Sequence, residues 1–166
     1  MMSRSDNGQR LAAQLVYNQD GTLSGITNTH LDTLSNKRGR PLKHKTNQDA
    51  GSMSLGDDGE IIVAFERNHR IWRYLPEKTG PMPIKPPTEL ASMPSNEGIE
   101  ALTLLNDGSL LAISEGDIGG NEAVAWVSDT SGWSVMTFNL SGGFEVLGAA
   151  SLPSGDVPVL KRRFTV

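Results

Sequence analysis

Ser52-Met53-Ser54-Leu55-Gly56-Asp57-Asp58-Gly59-Glu60-Ile61-Ile62-Val63-Ala64-Phe65-Glu66 holds two apolar runs on either side of an acidic turn that ends in glycine. Asp-Gly between such runs is a strong short-range signal for a β-hairpin, because glycine accepts the positive φ that a tight turn demands. The second arm, Ile61-Ile62-Val63, is continuously apolar and suits a strand buried on both faces. The pattern returns as Ala101-Leu102-Thr103-Leu104, Leu105-Asn106-Asp107-Gly108 and Ser109-Leu110-Leu111-Ala112-Ile113-Ser114-Glu115. A weaker third copy runs from Ala149-Ala150-Ser151-Leu152 through Pro153-Ser154-Gly155 to Asp156-Val157-Pro158-Val159-Leu160-Lys161. The turn glycines Gly59, Gly108 and Gly155 are spaced by 49 and 47 residues. That spacing matches the roughly 40–50 residues of one four-stranded propeller blade.

The intervening segments supply outer strands. Residues 69–75 alternate, with Ile71 and Trp72 set among Arg70 and Arg73. Residues 76–87 are proline-rich and predict a connection leading to a frayed outer edge. Residues 122–128 and 133–140 form a second hairpin around Asp129-Thr130-Ser131-Gly132. Residues 10–17 and 22–26 form another around Asn18-Gln19-Asp20-Gly21, with no inner pair before it. The predicted fold is therefore all-β: a β-propeller segment of four-stranded antiparallel blades, about two full blades plus two partial ones. Residues 1–46 give the outer strands of a first blade, 47–94 a second blade, 95–142 a third, and 143–166 the inner strands of a fourth. A small β-sandwich is the alternative; the even period favours the propeller. A propeller removes its sheet edges by closing in a ring. An arc with bare flanks exposes apolar faces, so self-association through open blade flanks is expected.

Bulk composition narrows the class. With 37% hydrophobic and 20% charged residues among 166, the chain reads as one globular domain rather than a disordered segment. Its 18 glycines and 9 prolines favour many short strands over a few long helices. A net charge of −4 argues against a nucleic-acid partner, and the absence of cysteine excludes disulfides and thiolate zinc sites. No apolar run approaches the roughly 18 residues needed to span a bilayer, so membrane insertion is not expected. The first ten residues are polar and carry no signal-peptide pattern. Gly-x-Ser-x-Gly, Walker and His-Glu-x-x-His patterns are lacking, and His30, His44 and His69 are isolated. Lys37-Arg38-Gly39-Arg40-Pro41, followed by Lys43-His44-Lys45, is similar to the core of a minor-groove AT-hook. Between two blades of an acidic chain it reads instead as solvated turn material. Trp72, Trp126 and Trp133 are expected to pack between blades.

Phe65-Glu66-Arg67-Asn68-His69-Arg70-Ile71-Trp72-Arg73-Tyr74 and Asn96-Glu97-Gly98-Ile99-Glu100-Ala101-Leu102, with Ser114-Glu115 downstream and Gly142-Gly143-Phe144 before the last copy, resemble the phytase-like ("esterase-like activity of phytase") domain of bacterial proteins. The resemblance runs in order along nearly the whole chain. Ser5-Asp6-Asn7-Gly8 resembles the end of an inner hairpin in a preceding blade, which implies a partial chain. It implies a propeller with Asp and Glu near its axis and a possible phosphoester hydrolase, acting on phosphomonoesters or phosphodiesters with Ca²⁺ assistance. It also implies a periplasmic or secreted parent, if that parent carries a signal peptide. Fold-level analogy alone does not establish activity. A non-catalytic propeller that binds a ligand or protein, or an inactive fragment of a larger propeller, stays open beside it.

Carboxylates are the candidate chemistry. Glu97, Glu100 and Glu115 sit at the ends of the two inner strands of one blade; Glu66 occupies the place of Glu115 one blade earlier, and Asp6 one blade before that. Acids converging near a propeller axis can share Ca²⁺, which takes six to eight oxygens. Glu100 and Glu97 are the catalytic candidates; Glu100, Glu115 and Glu66 are the metal ligands. Arg67, His69 and Arg70 are candidate substrate-binding residues, because arginine forks suit phosphate oxygens. Strand-end amides and ion pairs with Arg67, Arg70 or Arg73 would occupy the same acids equally well. Aligning the copies places Gly51 and Gly148 opposite Glu100, and the resemblance implies acids there and at Lys161. An incomplete metal cage is the expectation at those positions.

Overall fold

Four antiparallel sheets follow one another along the chain, and within each the strands pair in sequence order. The structure, a computed structural model, describes residues 2–4, 7–115 and 121–163. The first sheet comprises β1 (Met2–Arg4), β2 (Gln9–Tyr17) and β3 (Leu23–Thr33). The second comprises β4 (Ala50–Leu55), β5 (Ile61–Phe65), β6 (Arg70–Tyr74) and β7 (Met82–Ile84). The third comprises β8 (Ile99–Leu104), β9 (Leu110–Ser114), β10 (Glu122–Ser128) and β11 (Trp133–Asn139). The fourth is the hairpin of β12 (Glu145–Ala149) and β13 (Val159–Arg162). This is the all-β blade architecture that the repeat predicts, without a closed ring among the described residues.

The first sheet has three strands where the hairpin of residues 10–26 predicts two. β1 pairs Met2 with Ala12 and Arg4 with Arg10. Three residues are too short to carry an alternating pattern, which is why the strand escapes a sequence reading. Pro83 lies on β7, opposite Trp72 of β6, at the sheet edge where a missing N–H breaks no ladder.

The three inner hairpins turn identically. Gly56 N donates to Glu60 O, Leu105 N to Ser109 O, and Leu152 N to Asp156 O, at 2.8–2.9 Å. Gly59 and Gly108 close their turns at φ of 76° and 84°, a conformation that costs a side-chain-bearing residue energy.

Alternate residues of one strand feed two cores. Val63 and Phe65 of β5 pack with Leu34, Leu42 and Ala50 towards the first sheet. Ile62 and Ala64 face the third sheet and pack with Ile71, Ile99, Leu102 and Trp126. Ala112 of β9 joins that same cluster, whereas its neighbour Ile113 joins Ala123, Ala125 and Val146 towards the fourth sheet. Period-two alternation thus lets the second and third sheets each pack on both faces. Trp126 is fully buried, and its indole N–H donates to Glu89. Trp133 donates to Lys85 O at 2.7 Å. Each of these two aromatics therefore has a polar partner at an inter-sheet seam, as buried Trp requires.

Side-chain hydroxyls tie successive sheets together. Leu104 N donates to Ser54 Oγ at 2.8 Å, and one sheet later Ser151 N donates to Thr103 Oγ1 at 3.0 Å. Ser52 Oγ donates to Ile99 O at 2.6 Å in the same seam. Among the described residues no helix is long and apolar enough to cross a membrane.

Candidate functional site

The first strands of three successive sheets, β4, β8 and β12, each carry a bulge at the same place. The register skips Gly51 between Ala50 and Ser52, Glu100 between Ile99 and Ala101, and Leu147 between Val146 and Gly148. A bulge leaves one residue out of the ladder and re-aims its side chain. Each bulged residue lies eight positions before its turn glycine. The residue equivalent to Glu100 in the fourth sheet is therefore Leu147, not Gly148. The third turn spans residues 152–155, and taking it as Pro153-Ser154-Gly155 alone shifts the strand before it by one.

The strand after each turn brings the second acid. Glu66 N donates to Asp49 O at 2.8 Å beyond the end of β5, and Glu115 N donates to Gly98 O at 3.2 Å beyond the end of β9. The matching residue of β13 pairs with Glu145 and is Arg162. Lys161 instead pairs with Val146, one step earlier. The basic substitution that the resemblance implies at Lys161 thus falls at Arg162.

These positions converge on one open cavity of about 360 Å³, lined by Glu66, Glu100, Glu115, Asp49, Arg67 and Arg162 among others. One carboxylate oxygen from each of Glu66, Glu100 and Glu115 lies within 4.8 Å of the others. Glu66 Oε1 is buried and has no hydrogen-bond partner. Oxygen ligands on opposite sides of Ca²⁺, at 2.3–2.6 Å each, stand roughly 4.6–5.2 Å apart. The trio therefore fits a cation of that size, and this cluster can hold a metal ion.

Gly51 leaves room for Glu66. A Cβ there would stand 3.0 Å from Glu66 Oε1 and 2.9 Å from the carbonyl of Ile99. Gly98 has the same role from the other side, since its Cβ would stand 2.8 Å from Glu66 Cγ. The two glycines make the slot in which Glu66 lies.

The charges are unevenly compensated. Asp49 is bound by Lys45 at 3.2 Å and by Nε of Arg67. Arg162 reaches Glu115 Oε1 at 3.2 Å. Burial raises the pKa of Glu115, and the nearby Glu100 and Glu145 raise it further, against the opposing pull of Arg162.

Of the other candidates, only Arg67 reaches this cavity. Its backbone is left-handed, φ 58°, and its N–H donates to Ser95 O. Glu97 lies in a turn, its N–H bonded to Pro94 O at 3.0 Å, and is outside both the cluster and the cavity lining. His69 packs behind Gly98, with Nε2 3.1 Å from Pro94 O and a buried Nδ1. Arg70 is drawn away by stacking: its guanidinium lies 3.7 Å from the Phe65 ring and 4.4 Å from the Trp72 ring. It donates to the carbonyls of Asn68 and Asn47. Asp6 lies outside the described residues. Asp49 and Arg162 are site residues that a sequence reading misses.

The sequence model of the family described as "Phytase-like: Esterase-like activity of phytase" matches residues 1–166. No curated protein matches the chain. Among solved structures, a protein of unknown function from Bacteroides caccae is similar at a TM-score of 0.42 and 12% identity, over 95% of this chain. The chain spans 63% of the length of that protein.

Proposed function

Because this chain belongs to the phytase-like family, we propose that its three-glutamate cavity binds Ca²⁺ and, with it, a phosphoester substrate for hydrolysis. The observation that carries this reading is the meeting of Glu66, Glu100 and Glu115 within 4.8 Å, with a buried Glu66 oxygen that no protein group satisfies. When bound, Ca²⁺ supplies positive charge that stabilises phosphate oxygens. Three carboxylates fill fewer than the six to eight oxygen positions such an ion takes, which leaves room for water and substrate.

The chain's own residues divide the work. Glu66 is the fixed ligand, held in its slot by Gly51 and Gly98. Glu100, projected by its bulge, is the second ligand and the leading candidate for the base that orients an attacking water. Glu115, whose pKa is raised by burial and by the nearby Glu100 and Glu145, holds its proton to higher pH than an ordinary glutamate and is the candidate proton donor. Arg67 lies on the rim with Nε held by Asp49, so its terminal N–H groups suit a phosphate oxygen.

A thermal melt with and without millimolar Ca²⁺, repeated with a phosphomonoester and a phosphodiester, tests the reading. Ca²⁺ is expected to raise the melting temperature by several degrees through linkage. Glu100→Gln is expected to abolish that rise, and Glu97→Gln to leave it intact. A melt indifferent to Ca²⁺ in the unaltered chain would refute the reading.

A non-catalytic binding propeller is the second reading, favoured by Leu147 and Arg162. They stand where the third sheet has Glu100 and Glu115, so the fourth sheet brings no acid to these positions. Ca²⁺ binding without hydrolysis of either ester would select it.

A further inference from the structure

A second cavity, of about 450 Å³, opens beside the glutamate site and is lined by Arg40, Lys43, His44, Arg70, Asn47 and Trp72 among others. No carboxylate lines it. The two cavities share a wall made by the helical turn Lys45–Gln48 and the turn of residues 66–69. Asp49 and Glu66 line one side, whereas Asn47 and Asn68 line the other, joined by a 3.1 Å hydrogen bond from Asn68 Nδ2 to Asn47 Oδ1.

The loop that carries the basic run has a fixed backbone. Leu34 and Leu42 bury its two ends in the core beneath the second sheet. Asn36 Oδ1 accepts from Arg38 N and Arg40 N, Asn36 N donates to Arg40 O, and Ser35 bridges Pro41. Tyr74 Oη donates to Ser35 O at 2.9 Å. Solvated turn material accounts for the exposed side chains here but not for this scaffold.

The charged side chains that line this cavity are all cationic. Arg10, Lys45, Arg67, Arg73 and Arg162 are each paired with a carboxylate. Among the described residues, Arg40, Lys43, His44 and Arg70 have no carboxylate partner. Arg70 is half-buried, and burial lowers its pKa to about 10. Its buried Nε has no hydrogen-bond partner. A guanidinium whose terminal nitrogens are held by two carbonyls and which has no carboxylate partner lies behind two exposed cationic side chains, and this concentration of positive charge attracts an oxyanion. Trp72, Pro41 and Leu42 offer an apolar wall beside it.

We propose that this cavity is a separate binding site for an organic oxyanion ester, a phosphate or sulfate whose charged end meets Arg40 and Lys43 and whose apolar part lies against Trp72 and Pro41. It is independent of cation binding at the glutamates.

The test is an NMR titration of the isotope-labelled chain with phenyl phosphate in excess EDTA, so that the glutamate site holds no metal. Saturable shifts are expected at residues 36–47 and 68–72 and not at 96–115. The double variant Arg40→Ala with Lys43→Ala, both on exposed side chains, is expected to weaken binding roughly tenfold or more with an unchanged melt. Phenyl sulfate in a parallel titration separates the two sources: a response to both gives a general oxyanion-ester site, and a response to phosphate alone a phosphate site. An absence of saturable shifts, equal affinity for phenol, or equal affinity in the double variant would each overturn the proposal. So would saturable binding of an AT-rich DNA duplex with phenyl phosphate inert, which would move the loop to nucleic-acid recognition.

Discussion

The guanidinium of Arg162 lies 3.2 Å from Oε1 of Glu115, so the fourth sheet sends a cation into the acidic cavity at the position where the second and third sheets send Glu66 and Glu115. This pair competes with any bound metal, because the same carboxylate cannot give its full charge to both. Arg162→Gln is expected to tighten Ca²⁺ binding about fivefold, roughly 1 kcal/mol for removing one partly screened charge. Calorimetric titration of both proteins reads the change. An unchanged or weaker affinity would show that Arg162 does not compete.

Gly51 is a test of the slot itself. Gly51→Ala places a methyl 2.9 Å from a backbone oxygen that cannot move cheaply and 3.0 Å from Glu66 Oε1. A loss of about 1–3 kcal/mol is expected from overpacking, together with weaker Ca²⁺ binding. Denaturant melts measure the first and calorimetry the second. Full stability in the variant would mean that Glu66 has another place to go.

The raised pKa of Glu115 sets a pH dependence with a definite sign. The folded state holds the Glu115 proton to higher pH than the unfolded chain does. Its contribution to metal-free stability is therefore complete below the ordinary glutamate range and is lost as pH rises through the raised value. Glu115→Gln does not titrate, so wild-type stability relative to that variant is expected to fall across this window. Ca²⁺ affinity is expected to climb across the same window, as the carboxylate is freed. Paired urea melts at stepped pH check the first, and a difference that rises with pH would contradict it.

Leu23, Ile26 and Leu31 on the first sheet are 52–60% exposed, and Leu160 on the last is 62% exposed. Exposed apolar side chains on a terminal sheet with no neighbour on one side favour burial against another surface. The chain is expected to self-associate in sedimentation experiments at micromolar concentration. Leu31→Lys together with Leu160→Lys is expected to shift it towards monomer. A monodisperse monomer before substitution would refute the expectation.

The residues that align on their turns were legible. Asp-Gly turns set the hairpins of residues 52–66 and 101–115, and period two along β5 and β9 set which side chains face which core. Those are local properties: glycine tolerates positive φ, and alternating side chains point to opposite faces of a strand. Glu66, Glu100 and Glu115 could be proposed as neighbours for the same reason, because each sits at a fixed offset from its turn. In the third copy Leu152 belongs to the turn rather than to the strand before it, so Leu147 and Arg162, not Gly148 and Lys161, match Glu100 and Glu115.

Packing of one sheet on the next settles which basic side chains reach the glutamates and which are held elsewhere. Arg67, His69 and Arg70 are near neighbours in the chain, yet a left-handed Arg67, a half-buried His69 packed behind Gly98 and an Arg70 stacked on Phe65 put the three in different surroundings. Arg162 and Glu115 are 47 residues apart and meet at 3.2 Å. Strands, turns and repeat follow from backbone and pleat preferences over a few residues. The meeting of acids and bases depends on how one sheet stacks on the next, a contact between distant segments that no local pattern encodes.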